Sequence, residues 1–376
     1  MNKKEIAEIR KELIPDGAAI TRIRGCLIDN KDNGKKVKTL QKHEFAALSE
    51  EDVFKYEDIF KATLSGTLGK NLLNLGFSHE EEKAGGKAEF LRNLCECELK
   101  DDGLMEEFFD RIKNNFAYEM SYYIVVMHCT YDIPGKSSDG SEMFDASDNV
   151  FNFIIASICP MELTESALSF DSKNDLITAR IRDWFVDKPV NGFMFPAFND
   201  RSADVHQLLY YSKNGESIQP SLIDALVGSD TPLTAKNQKE AFNTIIKETL
   251  GEDCNYDSVI SINETLNEAI AANKDEEGPV LLNKSDVKQL LSKSGVAPEN
   301  LEVFDSKCDE VIPGDMPMVA TNVANTKKWN IETPSVVINV PPEKAGIIEK
   351  KKVDGRECLV IPIDGQIKIN GVDVAP

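Results

Sequence analysis

Two segments, residues 122–131 (YYIVVMHCTY) and 150–159 (VFNFIIASIC), are apolar on both alternating faces. A strand that meets water on one side alternates apolar with polar residues. One that is apolar throughout has to be covered on both sides. These segments therefore predict central strands of a sheet carrying a packed layer on each face. The chain can supply those layers: of 376 residues, 41% are hydrophobic and 28% charged, which excludes a collagen-like, coiled-coil or largely disordered chain. That length predicts two or three domains. No apolar run reaches the roughly 18 residues a membrane-spanning helix needs.

Around these strands the pattern alternates between helix and strand. Residues 3–13 predict an amphipathic helix with Ile6, Ile9 and Leu13 on one stripe, ended by Pro15. Residues 18–28 (AAITRIRGCLI) read as a strand with 35–40 as its hairpin partner. Ser49 is placed to cap a helix that runs to about Leu75, weakened by Gly66 and Gly69. Helices follow near 87–99 and 102–118. Residues 190–198 and 204–212 predict paired strands around the turn Asn199-Asp200-Arg201-Ser202. Residues 220–310 read as mostly helical, with caps at Thr234 and Ser285 and stops at Gly251 and Gly295. From about 315, short strands separated by Pro-Pro, Asp-Gly and Asn-Gly predict an antiparallel meander.

Charge argues about partners. Forty-three basic against 64 acidic residues leave −21. Residues 1–100 are balanced, whereas residues 101–200 carry 7 basic and 18 acidic side chains. No stretch is basic enough to displace counterions from a phosphate backbone, so net charge argues against nucleic acid. The N-terminus, MNKKEIAEIRKEL, is charged and has no apolar signal core. The eight cysteines, at 26, 95, 97, 129, 159, 254, 308 and 358, are scattered and form no CxxC pair. Together these predict a soluble cytoplasmic protein with reduced thiols and no membrane span. In that compartment the sequon at Asn263 goes unused.

Catalytic, metal and cofactor templates fail one by one. Asp29 to Gly34 resembles the start of a calcium loop. Lys31 and Leu40 stand where oxygen ligands belong, so a hairpin turn is preferred. Gly66-Thr-Leu-Gly69-Lys70-Asn71 lacks the spacing and the hydroxyl of a phosphate loop. Cys95 and Cys97 on one helix point about 200° apart and cannot grip one ion. His128 and Cys129 on one strand face opposite ways and cannot pair as base and nucleophile. Residues 179–185 (ARIRDWF) set two arginines beside an aromatic pair. That stacks on a base or packs Ile181, Trp184 and Phe185 into the core from a helix edge; the core is preferred.

Two segments remain as candidates. Residues 132–149 read as an 18-residue loop holding Asp139, Glu142 and Asp145. It is either a lid or divalent-ion site, or a solvated acidic loop, and the solvated loop is preferred. The turn PAFNDRSADVHQ gathers Asp200, Arg201, Asp204 and His206 at one strand end. Arg201 there can fork onto a carboxylate or phosphate and His206 can move a proton, oriented by Asp204. Alternatively Arg201 pairs with a nearby aspartate and fixes the turn, which is preferred because these residues are common turn formers.

Several long segments, among them YDIPGKSSDGSEM, ICPMELTESALSF, GFMFPAFNDRSADVHQLLYYSKN, SDVKQLLSKSGV and DGRECLVIPIDGQIKINGVDV, resemble an uncharacterised bacterial family known only as a domain of unknown function. The resemblance runs from Met1 to Val374 and implies a bacterial cytoplasmic protein, but carries no activity, cofactor or site residue. A fainter, fold-level similarity is to nucleoid-associated bacterial proteins, which join a mixed α/β front to a tail of strands.

The resulting expectation is an α+β protein: residues 1–215 with central buried strands, a mainly helical 216–312, and a small antiparallel β domain over 313–376. The leading functional expectation is a non-catalytic protein that binds a macromolecular partner, most simply another protein. The alternatives are a ligand- or metal-binding enzyme with its site between 132–149 and 199–206, and a nucleic-acid-associated protein.

Overall fold

The two doubly apolar segments pair with each other at the centre of an antiparallel sheet. A computed structural model describes residues 1–13, 19–31, 35–43, 48–136, 142–273, 278–312, 316–363 and 365–374, with the backbone alone for 31, 35–43, 136 and 142–148. The chain divides into two units, Met1–Thr234 and Ala235–Pro376. The architecture is α+β.

In the first unit, helix α1 (Lys3–Glu12) precedes strands β1 (Ala19–Lys31) and β2 (Lys35–His43). Helix α2 (Glu50–Thr63), strand β3 (Leu72–Gly76) and helices α3 (Lys87–Glu96) and α4 (Asp102–Asn115) follow. The long strands β4 (Tyr122–Lys136) and β5 (Glu142–Leu163) come next, then the short β6 (Leu168–Asp171), β7 (Leu176–Ala179) and β8 (Trp184–Val186). Strands β9 (Asn191–Phe195), β10 (Ala197–Asn199), β11 (Ser202–Asp204) and β12 (Gln207–Ser212) lead to helix α5 (Pro220–Val227).

Hydrogen bonding orders the main sheet β2-β1-β4-β5-β9-β12-β3, with β8 added to the end of β5. One face packs Ile124, Val126, Ile154 and Phe193 under α3, α4 and α5. The other packs Val125, Met127, Phe153 and Met194 under α1 and α2. The sheet is thus covered twice, which is why its central strands are apolar on both faces. The last turn of α2 rests directly on it. Thr63 Oγ1 meets the buried Ser157 Oγ at 2.7 Å. A Cβ at Gly192 would come within 2.4 Å of the Ala156 carbonyl oxygen and 2.6 Å of Thr63 Cγ2, so only glycine fits there.

Local signals placed several elements. Asn2 and Glu5 form a reciprocal capping box on α1, and Ser49 caps α2. Ile6, Ile9 and Leu13 are buried as expected; Pro15 lies outside the described residues. Three readings of secondary structure in this unit are corrected. The helix after Ser49 stops at Thr63, and residues 72–76 form an edge strand paired with β12. Short apolar runs fit either state, and here Leu73 goes to one core and Leu72 to the other, as a strand requires. The expected loop 132–149 is mostly strand: β4 and β5 continue past the core as a long hairpin whose register shifts at Pro134, which has no N–H to give the ladder. The third correction concerns residues 179–185, described below.

The second unit begins with helices α6 (Ala235–Leu250) and α7 (Tyr256–Ala272), strand β13 (Leu281–Leu282), and helices α8 (Lys284–Lys293) and α9 (Pro298–Val311). Asn283, not Ser285, caps α8, in a box with Asp286. Strand β14 (Met318–Val319) pairs with β13 and runs into the short helix α10 (Ala320–Val323). Phe242, Ile245, Leu266, Leu291 and Phe304 form the core. The chain ends in three hairpins: β15 (Trp329–Glu332) with β16 (Val337–Val340), β17 (Glu349–Val353) with β18 (Arg356–Val360), and β19 (Ile367–Ile369) with β20 (Val372–Val374). Asp354-Gly355 and Asn370-Gly371 turn the last two with positive φ at both positions.

Candidate functional site

The tight β10–β11 hairpin puts Asp200 and Arg201 at its two central positions, both with left-handed φ (50° and 57°). That conformation disfavours a residue such as arginine, and helix α1 holds it in place. Glu5 Oε1 accepts the Asp200 N–H at 2.7 Å while its other oxygen accepts the Asn2 N–H. Glu8 Oε1 lies 3.0 Å from Arg201 Nη1 and accepts the Tyr131 hydroxyl at 3.0 Å. Arg201 Nη2 donates to the Pro134 carbonyl at 3.1 Å. The hairpin base and the turn therefore meet at the Pro134 carbonyl, but the arginine is already occupied.

The expected acid–base pair does not assemble. The Asp204 carboxylate accepts from the backbone N–H of His206 at 3.0 Å and from the Asn199 amide at 2.7 Å, rather than from the imidazole. The exposed His206 ring turns to Glu82 Oε1, 2.9 Å away. Asp139 lies outside the described residues, as do the side chains of Glu142 and Asp145.

His128 sits at the margin of the sheet's α3–α4 face and is 1% exposed. Thr21, the bulged residue of β1 opposite it, places its hydroxyl 2.6 Å from Nδ1 and 3.3 Å from the His128 carbonyl. With Nδ1–H donating to the Thr21 hydroxyl, the hydroxyl's own proton goes to the carbonyl and Nε2 is a bare acceptor. Nε2 is buried without a hydrogen-bond partner. Burial, reinforced by the charges of Lys100 and Arg22 and opposed by Glu98, lowers the ring's pKa below the ordinary histidine value. Glu98 and Leu99, at the turn from α3, both have left-handed φ. Cys129 points into the opposite core, where burial raises its thiol pKa. The pair is therefore a neutral imidazole and an inert thiol on two sides of one sheet.

The feature the sequence hid is an apolar arm. Residues 179–185 do not enter the core, and no residue from 161 to 188 is buried. Strand β8 pairs with the end of β5, and β6 and β7 continue outwards as a two-stranded ribbon turned at Asp175. Phe170 lies directly across from Ile177, and Leu168 shares their face. Leu168 is 74% and Phe170 60% exposed, while the polar Ser169 and Asp171 that alternate with them are half-buried. Ile181 and Trp184 extend the exposed apolar surface towards the sheet. An isolated ribbon of this kind is marginally stable, and an uncovered apolar stretch rimmed by polar residues marks an interaction surface.

A family model described as Domain of unknown function (DUF4317) matches residues 1–372 of the chain. No curated protein and no solved structure matches it. Among the described residues no helix is long and apolar enough to cross a membrane.

Proposed function

We propose, for a chain that belongs to the DUF4317 family of unknown function, that it is a non-catalytic cytoplasmic protein that docks a protein partner through the 164–187 arm. The observation that carries this reading is the burial order of β6, where the apolar Leu168 and Phe170 are more exposed than the polar Ser169 and Asp171. The partner's chemistry follows from charge. Residues 164–187 carry five acidic and three basic side chains, a modest acidic excess that an apolar cleft with a basic rim fits best. A second copy is equally acidic and is the poorer match. The occupied arginine, the divided His206–Asp204 pair and the buried thiols support a non-catalytic role.

The test compares the wild-type chain with a Phe170→Ser/Ile177→Ser double variant, each used to retrieve binders from its own host's lysate. The decisive step is reconstitution of any retrieved protein, purified, with both chains. A stoichiometric complex made by the wild type and lost in an equally stable double variant supports the reading. A self-dimer abolished by the same changes points to a second copy instead. Binding of single-stranded oligonucleotide that collapses with added salt overturns the reading in favour of base stacking on Trp184.

A further inference from the structure

The second unit has an open groove of about 840 Å³ between α7 and the chain from α10 to residue 346. We infer that this groove binds an extended basic peptide segment. Its wall includes Trp329 and Pro342 on one side and Ile270 on the other. Asn267 also lines it, with both amide atoms, Oδ1 and Nδ2, buried and without a hydrogen-bond partner. Buried polar atoms are almost always paired, so an amide orphaned at both ends requires an explanation. Turned outward into the groove, the amide would present an acceptor beside a donor, the pattern complementary to the N–H and C=O of an extended peptide.

The rim selects the charge. Glu264 and Glu268 stand one turn apart on α7, with Glu343 also lining the groove and Lys327 the one cation among its lining residues. Like charges at this spacing work against the helix. None of the three glutamates has an ion pair among the described residues. An acidic rim repels phosphate, which excludes nucleic acid here, and attracts lysine or arginine side chains. An open trough suits a chain that passes through it better than a small enclosed ligand. This inference rests on different residues from the arm and stands or falls separately.

The experiment titrates the full chain, by calorimetry, with an acetylated and amidated octapeptide of alternating lysine and threonine. Saturable binding is expected, weakened steeply by salt and reduced about tenfold by Asn267→Leu, a loss of roughly 1.4 kcal/mol. The exposed Glu264→Gln/Glu268→Gln double variant, which leaves the core untouched, is expected to weaken binding several-fold and flatten the salt dependence. It keeps the proposal testable should Asn267→Leu fold poorly. A glutamate–threonine octapeptide is expected not to bind. Absence of lysine-peptide binding at millimolar concentration overturns the inference. So does binding unaffected by either variant, or spermine binding as tightly as the peptide and indifferent to Asn267→Leu, which would make the groove a charge sink only.

Discussion

Arg201 and Glu8, 193 positions apart in sequence, meet at 3.0 Å with both side chains about four-fifths buried. Glu8 is shared with the Tyr131 hydroxyl, so the pair ties helix α1, the β10–β11 turn and strand β4 at one point. Removing the guanidinium strands a largely buried carboxylate and frees a left-handed turn. Arg201→Ala is expected to cost about 1–2 kcal/mol, a charge-assisted bond discounted for partial exposure. In a unit of this size that lowers Tm by roughly 3–6 °C. Thermal unfolding of the single variants and of Arg201→Ala/Glu8→Ala checks it. Strictly additive losses would show that the two residues do not act on each other.

The arm and the core make opposite predictions for the same kind of residue. Phe170 on β6 is mostly exposed, whereas Phe153 on β5 is fully buried, its ring stacked 4.8 Å from that of Phe151. Phe153→Ala is expected to destabilise by about 3–5 kcal/mol through lost burial and a cavity. Phe170→Ser is expected to change stability by no more than about 0.5 kcal/mol. Chemical denaturation measures both. A large loss at Phe170 would mean that the ribbon is covered and is not a docking surface.

That contrast explains what the sequence could reveal. Burial on both faces leaves its mark in composition, so YYIVVMHCTY and VFNFIIASIC announced the centre of the sheet. The Asn-Gly and Asp-Gly turns announced the terminal hairpins because only a few residues accept their backbone angles. The arm gave no such signal. Ile181, Trp184 and Phe185 read identically whether they face a core or solvent, since hydrophobicity records a need for cover and not who supplies it. The candidate turn was found, but its meaning depended on Glu5 and Glu8. Those two residues look like ordinary surface positions of an amphipathic helix until the fold brings them beneath Asp200 and Arg201. Residues 72–76 carry no such distinction, because three leucines fit one more helical turn as well as a short edge strand.

His128 makes stability depend on pH in a defined direction. Burial lowers its pKa below the ordinary value near 6.5. As pH falls, the unfolded chain therefore takes up this proton before the folded one does. The stability tied to a neutral His128 is fully present above about pH 6.5 and is lost as pH falls from there towards the folded-state pKa. In His128→Gln that slope is expected to disappear while the remaining acid sensitivity persists. Unfolding free energies of the two chains between about pH 5 and pH 7 supply the comparison. Parallel curves would mean that the ring holds its proton equally well folded and unfolded.

Thiol chemistry should sort the cysteines by burial. Cys254 is exposed, whereas Cys26, Cys95, Cys129, Cys159 and Cys308 are buried. Burial pushes the Cys95 thiol up to about 12 and raises those of Cys129 and Cys159 as well. A thiolate reagent is expected to label Cys254 first, Cys97 and Cys358 more slowly, and the buried five only as the fold opens. Cys254→Ser should remove the fast phase. Rapid labelling of Cys129 in the native protein would mean that its side of the sheet opens without global unfolding.

The chain's two tryptophans report on the two proposed surfaces independently. Trp184 is 60% exposed on the arm, and Trp329 is 5% exposed at the groove with its indole N–H donated to the Asn325 carbonyl at 3.0 Å. Trp329→Phe, which leaves the arm's indole alone, is expected to emit at longer wavelength and to be quenched readily by acrylamide. Trp184→Phe is expected to emit at shorter wavelength and resist quenching. A partner seated on the arm should protect Trp184 and leave Trp329 unchanged; a lysine peptide in the groove should perturb Trp329 and leave Trp184 as accessible as before. Equal quenching of the two variants without any ligand would contradict the exposed arm directly, because an indole 60% exposed on β8 is far more open to the quencher than one 5% exposed at the groove.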